Sequence, residues 1–216
     1  MNLKRARVLI SNDDGIHAPG LKVLERAAAK IFKEVWVVAP EIEQSAASHS
    51  LTLRRPLRVR RLATRRYAVD GTPTDSVLLG VQEVMKSARP DMLLSGINRG
   101  GNLGEDITYS GTVAAAMEGT LLGLPSVALS QHYKDRQKVS WKTAEVWMAR
   151  VLKILLKEDW PVGVLMNVNF PDVPPGAVAG IEVARQGRRK IGGALTEGKD
   201  PRGDKYFWIG TQRHED

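Results

Sequence analysis

The sequence predicts an α/β fold: a Rossmann-like three-layer core with a mostly parallel sheet, followed by a small C-terminal β-rich arm. Three observations carry this. Over the first 130 residues, short apolar runs bounded by turn residues alternate with segments of helical periodicity, the pattern of parallel strands joined by right-handed crossovers. The 216 residues are 43% hydrophobic and 26% charged, an ordinary globular composition that suffices for one buried core. Past the last amphipathic helix the pattern changes to strand-like runs separated by Gly- and Pro-rich loops. The expected division is 1–135 for the core, 136–179 for a helix and strand that complete it, and 180–216 for the arm.

Each element has its own reason. Arg7–Ser11 holds Val8, Leu9 and Ile10 and ends in Asn12-Asp13-Asp14-Gly15, which describes a buried strand and its turn. Pro19 suits a helix start, and Leu21, Leu24, Ala28 and Ile31 recur at helical spacing. Val35–Val38 is the next buried strand, closed by Ala39-Pro40. Leu57–Arg61 alternates apolar and basic residues, as an edge strand does. Thr72-Pro73-Thr74-Asp75 presents an N-cap, a Pro at N1 and an acid at N3, opening a helix to about Lys86. Asp91–Leu94 is a strand that runs into Ser95-Gly96-Ile97-Asn98. Ser110-Gly111-Thr112 opens a helix through Leu121 that Gly123 stops, and Pro125–Leu129 is another strand. Trp141–Lys157 is amphipathic, with Trp141 and Trp147 as packing residues. Strand-like runs follow at Val162–Val168, Ile181–Ala184 and Tyr206–Ile209.

Composition excludes several functions. There is no cysteine, so disulfides, thiol catalysis and Cys-based metal sites are out, and a cytoplasmic setting is the default. No apolar run approaches a membrane span, so no membrane partner is expected. The N-terminal apolar stretch is too short for a secretory signal. The net charge of +8 favours anionic ligands. Much of that excess is local, in Arg54, Arg55, Arg58, Arg60, Arg61, Arg65 and Arg66, which fit either a solvated hairpin face or an anion-steering patch. No aromatic residue sits among these arginines before Tyr67, so no specific nucleic-acid partner is expected.

The chemistry belongs beyond the carboxyl ends of the strands, where open α/β sheets bind ligands. Polar residues and glycines concentrate there: Asn12-Asp13-Asp14-Gly15, then Glu41 to Ser45, then Ser95, Asn98 and Asn102 among several glycines. Asp-Asp-Gly alone describes a turn that caps a helix. At the end of the first strand it describes a cation site, because adjacent carboxylates repel unless a cation lies between them. Oxygen donors favour a hard divalent ion, Mg²⁺ or Mn²⁺, and two carboxylates balance one such ion. Ser110-Gly111-Thr112 at a helix start combines a Ser cap with free N–H groups that suit an anion, and Gly111 leaves room for a ligand to approach the backbone. His17 and His49 fall in loops near this edge; such histidines are usually solvent-exposed, though an imidazole there can donate a proton. Gly193-Ala-Leu-Thr-Glu-Gly198-Lys199 copies most of a Walker A pattern, but it ends in Asp200 and lacks a preceding strand.

Taken together, Ser11-Asn-Asp-Asp-Gly-Ile-His-Ala-Pro-Gly20, Val38-Ala-Pro-Glu-Ile-Glu-Gln-Ser45, Gly71-Thr-Pro-Thr-Asp75, Ser95-Gly-Ile-Asn98, Asn102-Leu-Gly104 and Tyr109-Ser-Gly-Thr-Val-Ala-Ala-Ala-Met-Glu-Gly119 closely resemble the survival protein SurE family of stationary-phase 5′/3′-nucleotidases. The resemblance implies one divalent metal ion per subunit held by Asp13, Asp14, Ser45 and Asn98. It implies hydrolysis of nucleoside 5′- and 3′-monophosphates, and of short polyphosphate. It places Asn12, Asn102, Ser110, Gly111 and Thr112 on the phosphate side. Asp13 and Asp14 are then the catalytic pair, with Asp13 acting as base or nucleophile. Subunits joined through C-terminal arms are also implied, giving a homodimer or homotetramer. Family members usually continue past a strand like Tyr206–Ile209, whereas this sequence ends at Arg213-His214-Glu215-Asp216.

Overall fold

A computed structural model of the chain describes residues 1–135, 137–157, 160–188 and 195–209. Its centre is a seven-stranded sheet in the order β3-β4-β2-β1-β5-β6-β7, formed by β1 (Arg7–Ser11), β2 (Glu34–Pro40), β3 (Val59–Ala63), β4 (Arg66–Val69), β5 (Met92–Arg99), β6 (Ser126–Gln131) and β7 (Leu165–Phe170). All pairings are parallel except β3 with β4. The chain winds from β1 outward through β2 to β4, then crosses back to β5 on the other side of β1. The order therefore reverses between β1 and β5, which opens a crevice at their carboxyl ends.

Two helical layers sandwich the sheet. The β1 residues alternate between them: Val8 and Ile10 join Leu21, Leu24 and Ala28 of α1 (Pro19–Ala29). On the same face lie Ala144, Met148 and Leu152 of α5 (Lys142–Leu155). Leu9 instead joins Val77 of α2 (Pro73–Leu79) and Val113, Ala115 and Ala116 of α4 (Gly111–Leu121). Trp141 and Trp147 pack against the α1–α5 side, as expected of them. The capping box forms as the sequence indicates: Thr72 accepts from the Asp75 N–H, and the Asp75 carboxylate accepts from the Thr72 N–H.

Several boundaries differ from the sequence reading. The expected helix to Lys86 ends at Leu79 and continues as a π turn, Gly80–Val84. Gly80 packs so closely on Leu9 that a Cβ there would lie 3.0 Å from its methyl carbon. Strand β4 has no counterpart in the sequence reading; it turns back from β3 and inserts beside β2. β2, β5 and β6 run on through Pro40, Arg99 and Gln131, and a short helix, α3 (Asp106–Tyr109), precedes α4. The last sheet strand lies at Leu165–Phe170 rather than Val162–Val168.

Ile181–Ala184 is not a strand: no neighbouring chain pairs with it among the described residues, and Val183 is 98% exposed. The arm is a separate two-stranded hairpin of β8 (Leu195–Lys199) and β9 (Lys205–Ile209). β8 covers most of the Walker-like stretch as a strand rather than a phosphate loop; Gly193, like His214 and the rest of 210–216, lies outside the described residues.

The arginine cluster folds onto the β3–β4 hairpin and its approach, and much of its charge is met there. Arg55 and Arg58 face Asp70, Arg60 pairs with Glu41, Arg65 with Glu34, and Arg66 with Glu25. The Arg58 backbone N–H, with Arg55 and Arg58 nearby, holds the Asp70 carboxyl below the usual carboxylate range. These pairs are mostly exposed and contribute little each.

Candidate active site

The crevice between β1 and β5 contains a cavity of about 320 Å³ lined by the ends of four strands and the start of α4. Asp13 and Asp14 come from the end of β1, Glu43 and Ser45 from the loop after β2, Asn98 to Asn102 from the end of β5, His132 and Tyr133 from the end of β6, and Ser110 from the α4 cap. Of the nine residues expected from sequence, Asp13, Asp14, Ser45, Asn98, Asn102 and Ser110 line this one cavity. Asn12, Gly111 and Thr112 are buried and do not line it.

Local structure explains each placement. Gly15 adopts φ +93°, and a Cβ there would lie 3.1 Å from the Ile42 carbonyl carbon, so glycine lets the turn after β1 press against the loop after β2. The Gln44 N–H donates to the Asp13 carbonyl across that contact. Ala46 and Ser48 hold left-handed conformations beside Ser45, fixed by the Ser48 hydroxyl donating to Thr108 O at 2.8 Å and by a His49–Glu118 contact of 2.9 Å. In β5 a bulge between Ser95 and Asn98 shifts the register against β6 and re-aims the strand end. The Asn98 Nδ2 donates to Gly100 O, so its amide oxygen is the atom that could serve as a metal ligand.

Asp13 is the most constrained of these groups. It is buried, and α4 begins directly on it. The Thr112 hydroxyl donates to Asp13 Oδ1 at 2.5 Å, and the Thr112 backbone N–H also bonds it. Gly111 is pressed against it: a Cβ on Gly111 would stand 2.6 Å from the Asp13 Cβ. The anion seated at this helix start is thus the Asp13 carboxylate itself. Burial, and next the charge of Asp14, push the Asp13 carboxyl up to about 6, against the lowering pull of the Thr112 hydroxyl. Ser110 caps the helix, accepting from the Val113 N–H at 3.1 Å.

Asn12 is fully buried; its Nδ2 donates to Gly15 O at 3.0 Å, while its amide oxygen has no hydrogen-bond partner among the described residues. Asn102 is pinned from β6 and β7: its N–H donates to Asn169, its side chain to Ser130, and its carbonyl accepts from Asn167 and Asn169. His17 is exposed and does not line the cavity, and His49 faces Glu118 rather than the cavity.

The donor set fits a hard dication. The carboxylates of Asp13, Asp14, Glu43 and Asp106, the Ser45 hydroxyl and the Asn98 amide line one cavity, and a cation would relieve the repulsion between Asp13 and Asp14.

The sequence reading missed Arg99, Asp106, Tyr109, His132 and Tyr133 as cavity residues. His132 and Tyr133 were within reach of it: they follow β6 just as Asp13 and Asp14 follow β1.

Comparison with known proteins bears on the family and the fold. The family model described as "Survival protein SurE" matches residues 8–193. The 5′-nucleotidase SurE of Paramagnetospirillum magneticum is 65% identical over 210 residues, covering 97% of this chain and 81% of that protein. The protein of the same name from Rhodospirillum rubrum is 53% identical over 218 residues, covering 100% of this chain and 83% of its own length. The crystal structure of the SurE protein from Aquifex aeolicus superposes with a TM-score of 0.83 at 40% identity, covering 95% of this chain and 82% of that one.

Proposed function

The chain belongs to the survival protein SurE family, and from that premise we propose that it is a metal-dependent phosphomonoesterase that hydrolyses nucleoside 5′-monophosphates to nucleoside and phosphate. The observation that carries this is the pair Asp13–Asp14 at the topological switch point, with Asp13 fixed by the first turn of α4. Relatives of this chain are named 5′-nucleotidases, which supports the substrate class. Action on 3′-monophosphates and short polyphosphate follows only from the resemblance.

Asp13, Asp14, Ser45 and Asn98 would hold a single Mg²⁺ or Mn²⁺. When bound, such an ion polarises phosphoryl oxygens and lowers the pKa of a coordinated water. The chain's own residues do the rest. Asp13 acts as the base: its carboxylate, lining the cavity, takes the proton of the attacking water and returns it to the nucleoside oxygen as the phosphorus–oxygen bond breaks. The Thr112 hydroxyl and N–H, together with the glycine at 111, hold its carboxylate in one orientation. Ser110 and Asn102 line the cavity, which supports a phosphate-binding role for them.

Phosphate release from AMP is expected with added Mn²⁺ and is expected to vanish on chelation, returning when metal is restored. Phosphate binding without turnover in the metal-loaded protein would overturn the reading in favour of a nucleotide-binding regulator.

A homo-oligomer, most simply a dimer and otherwise a tetramer, belongs to the same proposal. β8 and β9 pair only with each other among the described residues, and Leu195, Phe207, Trp208 and Ile209 are exposed on them. An isolated hairpin is marginal in water, so these faces call for cover from a second copy. Sedimentation of the intact chain is expected to give an oligomer, and that of a chain ending at Ala179 a smaller species. A monomeric intact chain at micromolar concentration contradicts this. A cytoplasmic location is proposed with it; no described helix is long and apolar enough to cross a membrane.

A further inference from the structure

The cavity carries an aromatic wall that phosphate chemistry does not use. Tyr109, His132 and Tyr133 all line it, so two of the chain's four tyrosines converge on one site in a protein with only 6% aromatic residues. None of these three rings belongs to either hydrophobic core, whereas Trp36, Tyr67, Trp141 and Trp147 all pack against one. The rings of His132 and Tyr133 are near parallel, 16° apart with centroids separated by 6.5 Å. Tyr133 is only partly covered.

Their mounting is rigid. Gln131, fully buried at the end of β6, donates its amide to the carbonyls of His132, Phe170 and Pro171 and accepts from the Ala144 N–H. The His132 N–H donates to Phe170 O, and the Lys134 N–H to Asp172. The floor beneath the rings is Gly100-Gly101. A Cβ at Gly100 would touch the Tyr133 ring at 3.4 Å and the Asn98 amide at 4.0 Å, and one at Gly101 would lie 3.5 Å from His132 Nδ1. One glycine therefore separates the aromatic wall from a proposed metal donor.

We propose that the His132–Tyr133 ring pair is the nucleobase platform of this site. A base whose phosphate reaches the Asp13–Asp14 end lies flat against Tyr133, with His132 parallel to it and Arg99 at the rim. Stacking uses the π face that every base possesses, so the platform is tolerant of base identity. It discriminates nucleotides from phosphate esters that lack a base. This inference rests on the phosphomonoesterase reading and assigns the substrate's other half.

The test compares kcat/KM for AMP and for ribose 5-phosphate in the metal-loaded, intact chain. Tyr133→Ala is expected to lower the AMP to ribose 5-phosphate ratio by about tenfold or more, the scale of losing one base-stacking ring. Tyr133→Phe, which keeps the ring, is expected to restore the parental ratio. In the parent, adenosine is expected to inhibit ribose 5-phosphate hydrolysis competitively while ribose does not, a measurement that needs no variant. An unchanged ratio in Tyr133→Ala, an equal fall in Tyr133→Phe, or no inhibition by adenosine each overturns the platform. Failure of the parent to release phosphate from either ester would overturn the phosphomonoesterase reading itself, and this inference with it.

Discussion

Asp14→Asn and Asp13→Asn are each expected to lower phosphate release from AMP by on the order of 100-fold or more, beyond the roughly 10–100-fold that loss of an outer hydrogen-bond partner brings to a metal site. Each substitution removes one of the two adjacent carboxylates at the end of β1 that are proposed to hold the dication. The fold is expected to survive, because the charges repel in the metal-free chain and burial already opposes the ionised form of Asp13. The sign of the pH effect follows. The Asp13 carboxyl is raised from 3.8 to about 6 in the folded chain, so the metal-free protein loses stability as pH rises through that interval and stays lower above it. Asp13→Asn is therefore expected to raise the melting temperature in chelator near neutral pH, with a smaller gain at pH ~5. Thermal unfolding and phosphate release measured on the same preparations check both halves. Full activity of Asp14→Asn without added metal would remove the metal assignment.

Gly111→Ala is expected to cost about 100-fold in activity, the scale on which misplacing a reacting group by about 1 Å acts. The sequence alone suggests a different reason for this glycine, room for a substrate to approach the backbone, and a substitution that weakens phosphate binding while sparing the metal. The structure changes the expectation. A Cβ at 111 would stand 2.6 Å from the Asp13 Cβ and 3.0 Å from its Oδ2, so either α4 or the turn after β1 must shift. Both are close to rigid, since α4 is buried along most of its length and Thr112 is bonded to the same carboxylate. Metal affinity is expected to fall together with turnover. Titration of Mn²⁺ into parent and variant distinguishes the two accounts: unchanged metal affinity with weaker inhibition by inorganic phosphate would return Gly111 to the substrate side.

What could be read without the structure was whatever depends on neighbours in sequence. Val8-Leu9-Ile10 identifies a strand buried on both faces, and Asn12 to Gly15 its end, because apolar runs and turn chemistry act over a few residues. Thr72 to Asp75 announces its capping box for the same reason. The layer order follows from alternating such signals, and the location of Asp13-Asp14 at a strand's carboxyl end follows from the layer order.

The tertiary structure alone decided which strand ends meet. β1 and β5 become neighbours only because the chain crosses back after β4, a strand whose short Arg66–Val69 run gave no distinct local signal. That crossover brings Asn98 to Asp13 and opens the cavity into which His132 and Tyr133 then project. The tertiary structure likewise showed that Gly111 and Thr112 meet Asp13, across nearly one hundred residues of chain. Local propensity fixes the conformation of a segment. Partner choice across a sheet and contacts below 3 Å are set by how whole layers pack, and no local pattern encodes them.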